Sequence, residues 1–148
     1  MGGVNLKEYW GKSPKAYKVR IHARIRHECW FLLYKGICVP KMPNFFLMYG
    51  PNTVNNRLFM SECAANFVSD AVLKLSESGK KSLVVKQEKF DDYNRALAET
   101  IKTKTYGVTA GGYFANEEGV NWQLYPYPLL YYQWTTSSAT VGEFDWQD

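Results

Sequence analysis

Few residue groups in this sequence have types and spacings that could carry chemistry. His22, His27 and Cys29 lie close enough to suggest metal ligation, but no second group completes a tetrahedral set, so no metal site is expected. Glu117 and Glu118 could form an acid pair, yet between Asn116 and Gly119 they read as a solvated turn. No G-x-S-x-G, Walker loop or G-x-G-x-x-G occurs, so no catalytic residue is assigned. The strongest candidate is the stretch Tyr49-Gly50-Pro51-Asn52-Thr53, which follows an apolar run and precedes a helical pattern. At such a strand-to-helix junction, backbone amides would point toward a ligand at the strand's carboxyl end.

That junction needs a strand ahead of it and a helix behind it. Phe45 to Tyr49, bracketed by Pro43 and by Gly50-Pro51-Asn52, predicts a strand buried on both faces, as in the middle of a parallel sheet. Asn55 or Asn56 can then cap a helix from about Arg57 to Glu77. Its stripe is Met60, Ala64, Phe67, Val68, Ala71, Val72 and Leu75, and Gly79 stops it. Ser82 to Val85 reads as a short strand. A second helix from about Gln87 to Lys104 puts Phe90, Tyr93, Leu97 and Ile101 on one side, with acids near its start and lysines near its end.

Ahead of this core, Val4 to Lys18 reads as a loop with a short helical turn, and Val19 to Arg26 alternates as a half-exposed strand with a basic face. Cys29 to Tyr34 is apolar, and Gly36 to Pro40 turns the chain. The last third is different: Gly111-Gly112, a polar turn at Ala115 to Gly119, then Trp122, Tyr125, Tyr127, Tyr131, Tyr132 and Trp134 around Pro126 and Pro128. This reads as an irregular aromatic segment lying over another surface.

With 46% hydrophobic and 16% aromatic residues in 148, the chain can build one domain-sized core. No apolar run approaches the roughly 20 residues that span a bilayer, and the first residues lack a signal-peptide core, so the chain reads as soluble and cytoplasmic. Cys29, Cys38 and Cys63 have no C-x-x-C spacing and are expected to be buried free thiols. Most of the formal +4 falls in Val19 to Lys35, where Arg20, Arg24, Arg26 and Lys35 face only Glu28. That is not a nucleic-acid footprint, and the aromatic segment has few interleaved cations to support base stacking.

The stretches Pro43 to Thr53 (PNFFLMYGPNT), Phe59-Met60-Ser61-Glu62 and Val84 to Leu97 (VVKQEKFDDYNRAL) carry a family likeness together with Gly111-Gly112-Tyr113-Phe114, Gly119-Val120-Asn121 and Tyr125-Pro126. In order and spacing they resemble the C-terminal end of Baeyer–Villiger-type flavin-containing monooxygenases. The resemblance runs from Gly36 to Asp145-Trp146, and Leu6, Tyr9, Trp10 and Tyr17 resemble the segment just upstream. It implies an α/β fold: a partial FAD-binding, Rossmann-like remnant at 1–62, and a segment at 63–148 with helices and an aromatic-rich C-terminal tail. It also implies that FAD, NADPH and oxygen act together to insert an oxygen atom beside the carbonyl of a small-molecule ketone. Tyr49, Gly50, Pro51, Asn52 and Thr53 become cofactor-binding candidates beside the flavin ring, where a helix N-terminus would favour negative charge on the reduced ring. Tyr113 stands where the family carries a tryptophan against the nicotinamide cofactor, which keeps an aromatic contact and loses the indole donor.

The family's glycine-rich fingerprints are not in this sequence, so the chain alone is expected to retain neither FAD nor NADPH and to be inactive. Val19 to Lys35 has no counterpart, since the family would run from Tyr17-Lys18 directly into Gly36. An insertion at 19–35, compatible with a retained intron, is therefore expected. The alternative is a small non-catalytic interaction module, or the product of a truncated gene.

Overall fold

A computed structural model divides the chain into two compact units, Met1–Phe31 and Leu32–Asp148. The described residues are 33–50, 52–53, 55–105 and 124–148, all in the second unit. The expectations for Val4 to Lys18, Val19 to Arg26, most of Cys29 to Tyr34 and the Gly111-Gly112 region lie outside them, as do His22, His27, Cys29, Glu117 and Glu118.

The element order is α1 (Arg57–Glu77), β1 (Ser82–Val85), α2 (Gln87–Lys102), α3 (Leu129–Thr135), a 3-10 turn (Val141–Glu143) and β2 (Phe144–Gln147). This is a mixed α/β arrangement. Helix α1 starts where the sequence predicts, because the Asn56 side chain accepts the Phe59 amide at 3.2 Å and so satisfies one orphan donor of the first turn. It ends at Glu77 with Ser78 as its cap, after which Gly79 adopts a φ of 68°, a conformation that glycine enters without strain. Met60, Cys63, Ala64, Phe67 and Ala71 form its buried face. Val72 was expected in this stripe but is exposed, since one residue past Ala71 turns it about 100° away from the core. Helix α2 runs to Lys102, two residues short of the expected end, and buries Phe90, Asn94, Leu97 and Ile101.

Strand β1 pairs antiparallel with β2, with Leu83 opposite Trp146 and Val85 opposite Phe144. Leu83, Val85 and Phe144 point into the core. Among the described residues, the other edge of β1 is met by one residue rather than a strand. Asn44 donates its amide to the Leu83 carbonyl at 3.1 Å, its side-chain oxygen accepts from the Leu83 amide at 3.0 Å, and its Nδ2 donates to the Lys81 carbonyl at 2.9 Å.

Two apolar clusters result. One gathers Tyr34, Ile37, Cys38, Phe67, Leu83, Val85, Phe90 and Phe144, and the other Met60, Cys63, Leu97, Ile101, Tyr125 and Tyr132. The second corrects the expectation of an irregular aromatic overlay at the C-terminus. Part of that stretch is helix α3, and Tyr132 is only 1% exposed, packed edge-on to Tyr125 at 5.1 Å. An aromatic-rich segment carries the area to build a core as readily as to cover one. Asp70 of α1 fastens the chain beyond α3 by accepting from the Ala139 amide at 2.7 Å, the Ser138 hydroxyl at 3.1 Å and the Lys74 ammonium at 2.8 Å. Burial works to raise its pKa, but these donors together hold the carboxyl below its usual value.

Phe45 to Tyr49 is the main departure. No strand buried on both faces forms here: Phe45, Phe46 and Leu47 are half-buried, and Met48 and Tyr49 are exposed. The run makes a single antiparallel bridge, Phe46 to Cys38, through Leu47 N–H to the Ile37 carbonyl (2.8 Å) and Val39 N–H to the Phe45 carbonyl (3.4 Å). Doubly covered strands need neighbours on both faces and edges. Among the described residues, this one has a partner on one edge only.

Candidate functional site

The structure describes Tyr49, Gly50, Asn52 and Thr53 of the junction, whereas Pro51 and Tyr113 lie outside the described residues. Gly50 is buried against the preceding turn so closely that a methyl group there would overlap the Gly36 carbonyl oxygen and Leu33 Cδ1. Its carbonyl accepts the Thr53 hydroxyl in a short hydrogen bond, and Thr53 is 2% exposed. Asn52 has a φ of 56°, in the left-handed region that asparagine tolerates better than most residues. It is also buried, with its Nδ2 donating to the Leu124 carbonyl at 3.4 Å.

The side chains of Asn52 and Thr53 are thus spent on shaping the loop. What remains for a ligand is ordered backbone and the Tyr49 ring, which the guanidinium of Arg57 faces at 5.0 Å. Arg57 is the first residue of α1, and the first turn contains no acidic residue. A cation there opposes the helix dipole and adds positive charge to an end already rich in N–H groups, an arrangement suited to an anionic group. Sequence reasoning passed over Arg57, although a cation at that position of a capped helix was a visible anomaly. A rigid backbone edge with an aromatic ring and a cation beside it suits a planar group carrying negative charge.

The turn under Gly50 is itself unusual. Lys35 and Gly36 both have positive φ, 56° and 68°, and the Ile37 amide closes the turn onto the Tyr34 carbonyl at 3.0 Å. The Lys35 ammonium is buried between the Tyr34 and Phe67 rings, 5.1 Å from each centroid, and donates to both carboxylate oxygens of Glu143 at 3.0 Å. The Tyr132 hydroxyl donates to the Lys35 carbonyl at 3.0 Å. Cys38, at the end of the turn, has its thiol pushed up to about 12, chiefly by burial, with Lys35 opposing and Glu143 adding. Such a thiol is inert at neutral pH. Cys63 is also a free, buried thiol. Among the described residues, no cluster of His, Cys, Asp or Glu could hold a metal ion, and no helix is long and apolar enough to cross a membrane.

No family model matches the chain. Among curated proteins it is similar to the FAD-binding monooxygenase ktnD of Aspergillus niger, 23% identical over 97% of this chain and 22% of that protein. It is also similar to the FAD-binding monooxygenase moxY of Dothistroma septosporum, 23% identical over 97% of this chain and 21% of the relative. A Baeyer-Villiger monooxygenase of Pseudomonas aeruginosa is 28% identical over 84% of this chain and 21% of its own length. Among solved structures, an oxidized steroid monooxygenase bound to NADP shares the fold, with a TM-score of 0.70 and 20% identity over 99% of this chain and 26% of that one. The chain therefore spans about a fifth of the length of its curated relatives.

Proposed function

We propose that this chain, whose relatives are FAD-binding monooxygenases, is part of a Baeyer–Villiger-type flavin monooxygenase and supplies its flavin-facing junction within a longer polypeptide. The observation that carries this reading is a likeness extending over 97% of the chain, a span that contains the tightly shaped loop at Gly50, Asn52 and Thr53. In this reading residues 1–62 end a Rossmann-like FAD domain and residues 63–148 buttress it. When bound, FAD reduced by NADPH supplies the oxygen-activating chemistry that places an oxygen atom beside a ketone carbonyl. The chain's own residues do the holding. Gly50 and Thr53 fix the backbone edge, and Asn52 ties it to Leu124. Tyr49 and Arg57 present a ring and a cation, and Tyr113 is the candidate contact to NADPH.

The chain alone retains no flavin and turns over no ketone, because most phosphate and adenine contacts belong to the remaining four fifths of such an enzyme. Purification without yellow flavin absorbance is the expected result, and stoichiometric flavin would contradict it. In a longer polypeptide, Asn52→Ala should slow flavin reduction and oxygenation. Normal rates for both would remove the junction's assignment.

The insertion keeps its place in this reading with a sharper edge. The dipeptide Tyr-Lys occurs at 17–18 and again at 34–35, so removing 19–35 or 17–33 leaves the same sequence. Tyr34 and Lys35 are buried in the core, which favours the second copy as the one the fold uses. Complementary DNA that keeps the segment in every transcript would dismiss the intron. A second reading, a non-catalytic interaction module, draws on the exposure of Leu130, Tyr131 and Trp134. A G-x-G-x-x-G following a strand in the upstream translated sequence decides for the enzyme, whereas a stop and promoter there favour the module or the product of a truncated gene.

A further inference from the structure

We infer that Tyr132 and Glu143 are positioning residues for the junction at Gly50, Asn52 and Thr53, acting through the Tyr34 to Ile37 turn. The part of this inference that concerns the cofactor rests on the reading of that junction as flavin-facing.

The turn would not hold itself in this shape. A lysine with positive φ is disfavoured by the contact of its Cβ with the backbone, and a buried ammonium is disfavoured further unless it is paired. Both conditions are met by residues distant in sequence. Glu143 takes the ammonium with two 3.0 Å hydrogen bonds, and Tyr132 takes the Lys35 carbonyl with one. One partner fixes the side chain of Lys35 and the other fixes its backbone.

The turn in turn sets the junction. The Gly36 carbonyl and Leu33 press on Gly50 with no space for a methyl group, so a displacement of the turn must displace Gly50. The Gly50 carbonyl carries the Thr53 hydroxyl, and the Leu47 amide, just upstream, bonds the Ile37 carbonyl at 2.8 Å. Contact is thus continuous from Tyr132 and Glu143 through Lys35 and Gly36 to Gly50 and Thr53. Interiors packed this closely transmit a shift rather than absorb it.

The test is amide hydrogen exchange and amide chemical shifts on the isotopically labelled chain carrying Tyr132→Phe or Glu143→Gln. Tyr132→Phe deletes one hydroxyl, and Glu143→Gln keeps the shape while removing the charge. The expected result is exchange about tenfold faster at Ile37 and Leu47. Gly50 and Thr53 shifts should move, while the amides of Ala71 to Leu75 in α1 keep their rates. A uniform rise across all these sites, or unmoved Gly50 and Thr53, overturns the inference. If Glu143→Gln does not fold, Tyr132→Phe decides alone. The same substitutions in a longer, FAD-binding polypeptide should shift the flavin's visible spectrum. A loosened junction with an unchanged flavin spectrum leaves the positioning role standing and removes the cofactor reading.

Discussion

On its inner side the junction is held by the Gly36 carbonyl, Leu33, the Thr53 hydroxyl and the bond from Asn52 to Leu124, whereas on its outer side Met48 is 44% exposed and Leu58 82%. Met48, Gly50, Thr53 and Leu58 nevertheless lie within eleven residues of one another. The difference teaches that this chain contains what is needed to shape the loop, while the covering expected for a doubly buried strand is not among its described residues.

Substitutions can break or sharpen the contrast. The largest effect is expected for Met60→Ala, which empties a fully buried position and should cost about 2–5 kcal/mol, while Leu58→Ala one turn edge away should stay within about 0.5 kcal/mol. Urea unfolding of the two variants checks this, and equal losses would erase the distinction between the sides. Next, Gly50→Ala drives a methyl group into backbone and should cost about 1–3 kcal/mol in the same assay. An unchanged midpoint would mean that the turn yields freely.

A smaller and more gradual effect is expected from pH. Burial raises the pKa of Cys38 and of Tyr34, Tyr93, Tyr125 and Tyr132, so the fold holds all five protonated. Their contribution is complete below the unfolded values, about 8.5 for the thiol and about 10 for the phenols, and is lost as pH climbs toward the folded ones. Denaturation midpoints should hold near neutrality and fall above about pH 9. Midpoints that do not fall up to about pH 11 would show that these groups ionise in place.

What the sequence disclosed was local. Helix α1 and strand β1 appear at the expected residues because an Asn56 cap, a Gly79 stop and a short β-branched run are written within a few positions. The partner of β1 was not foreseen, since FDWQ gives no sign that it will cross to Ser82–Val85. Composition marked Phe45 to Tyr49 as a run fit for burial but could not say whether the covering residues belong to the same chain. At the candidate site, the clustering of Gly50, Asn52 and Thr53 follows from adjacency. The support from Tyr132 and Glu143 reaches across 97 and 108 residues to Lys35, a distance over which no periodicity speaks.

Asn44 gives strand β1 something further. By offering an amide, a side-chain carbonyl and a side-chain NH2 to Leu83 and Lys81, one residue imitates the edge of a neighbouring strand and occupies the groups a foreign chain would need. At Leu83 and Lys81, Asn44 thereby takes backbone groups from which intermolecular stacking could begin. Chemical ageing of Asn44 to aspartate would exchange the Nδ2 donor for a charged acceptor facing the Lys81 carbonyl, repelling it and reopening that edge. A single side-chain nitrogen thus sets how long this edge of β1 stays guarded.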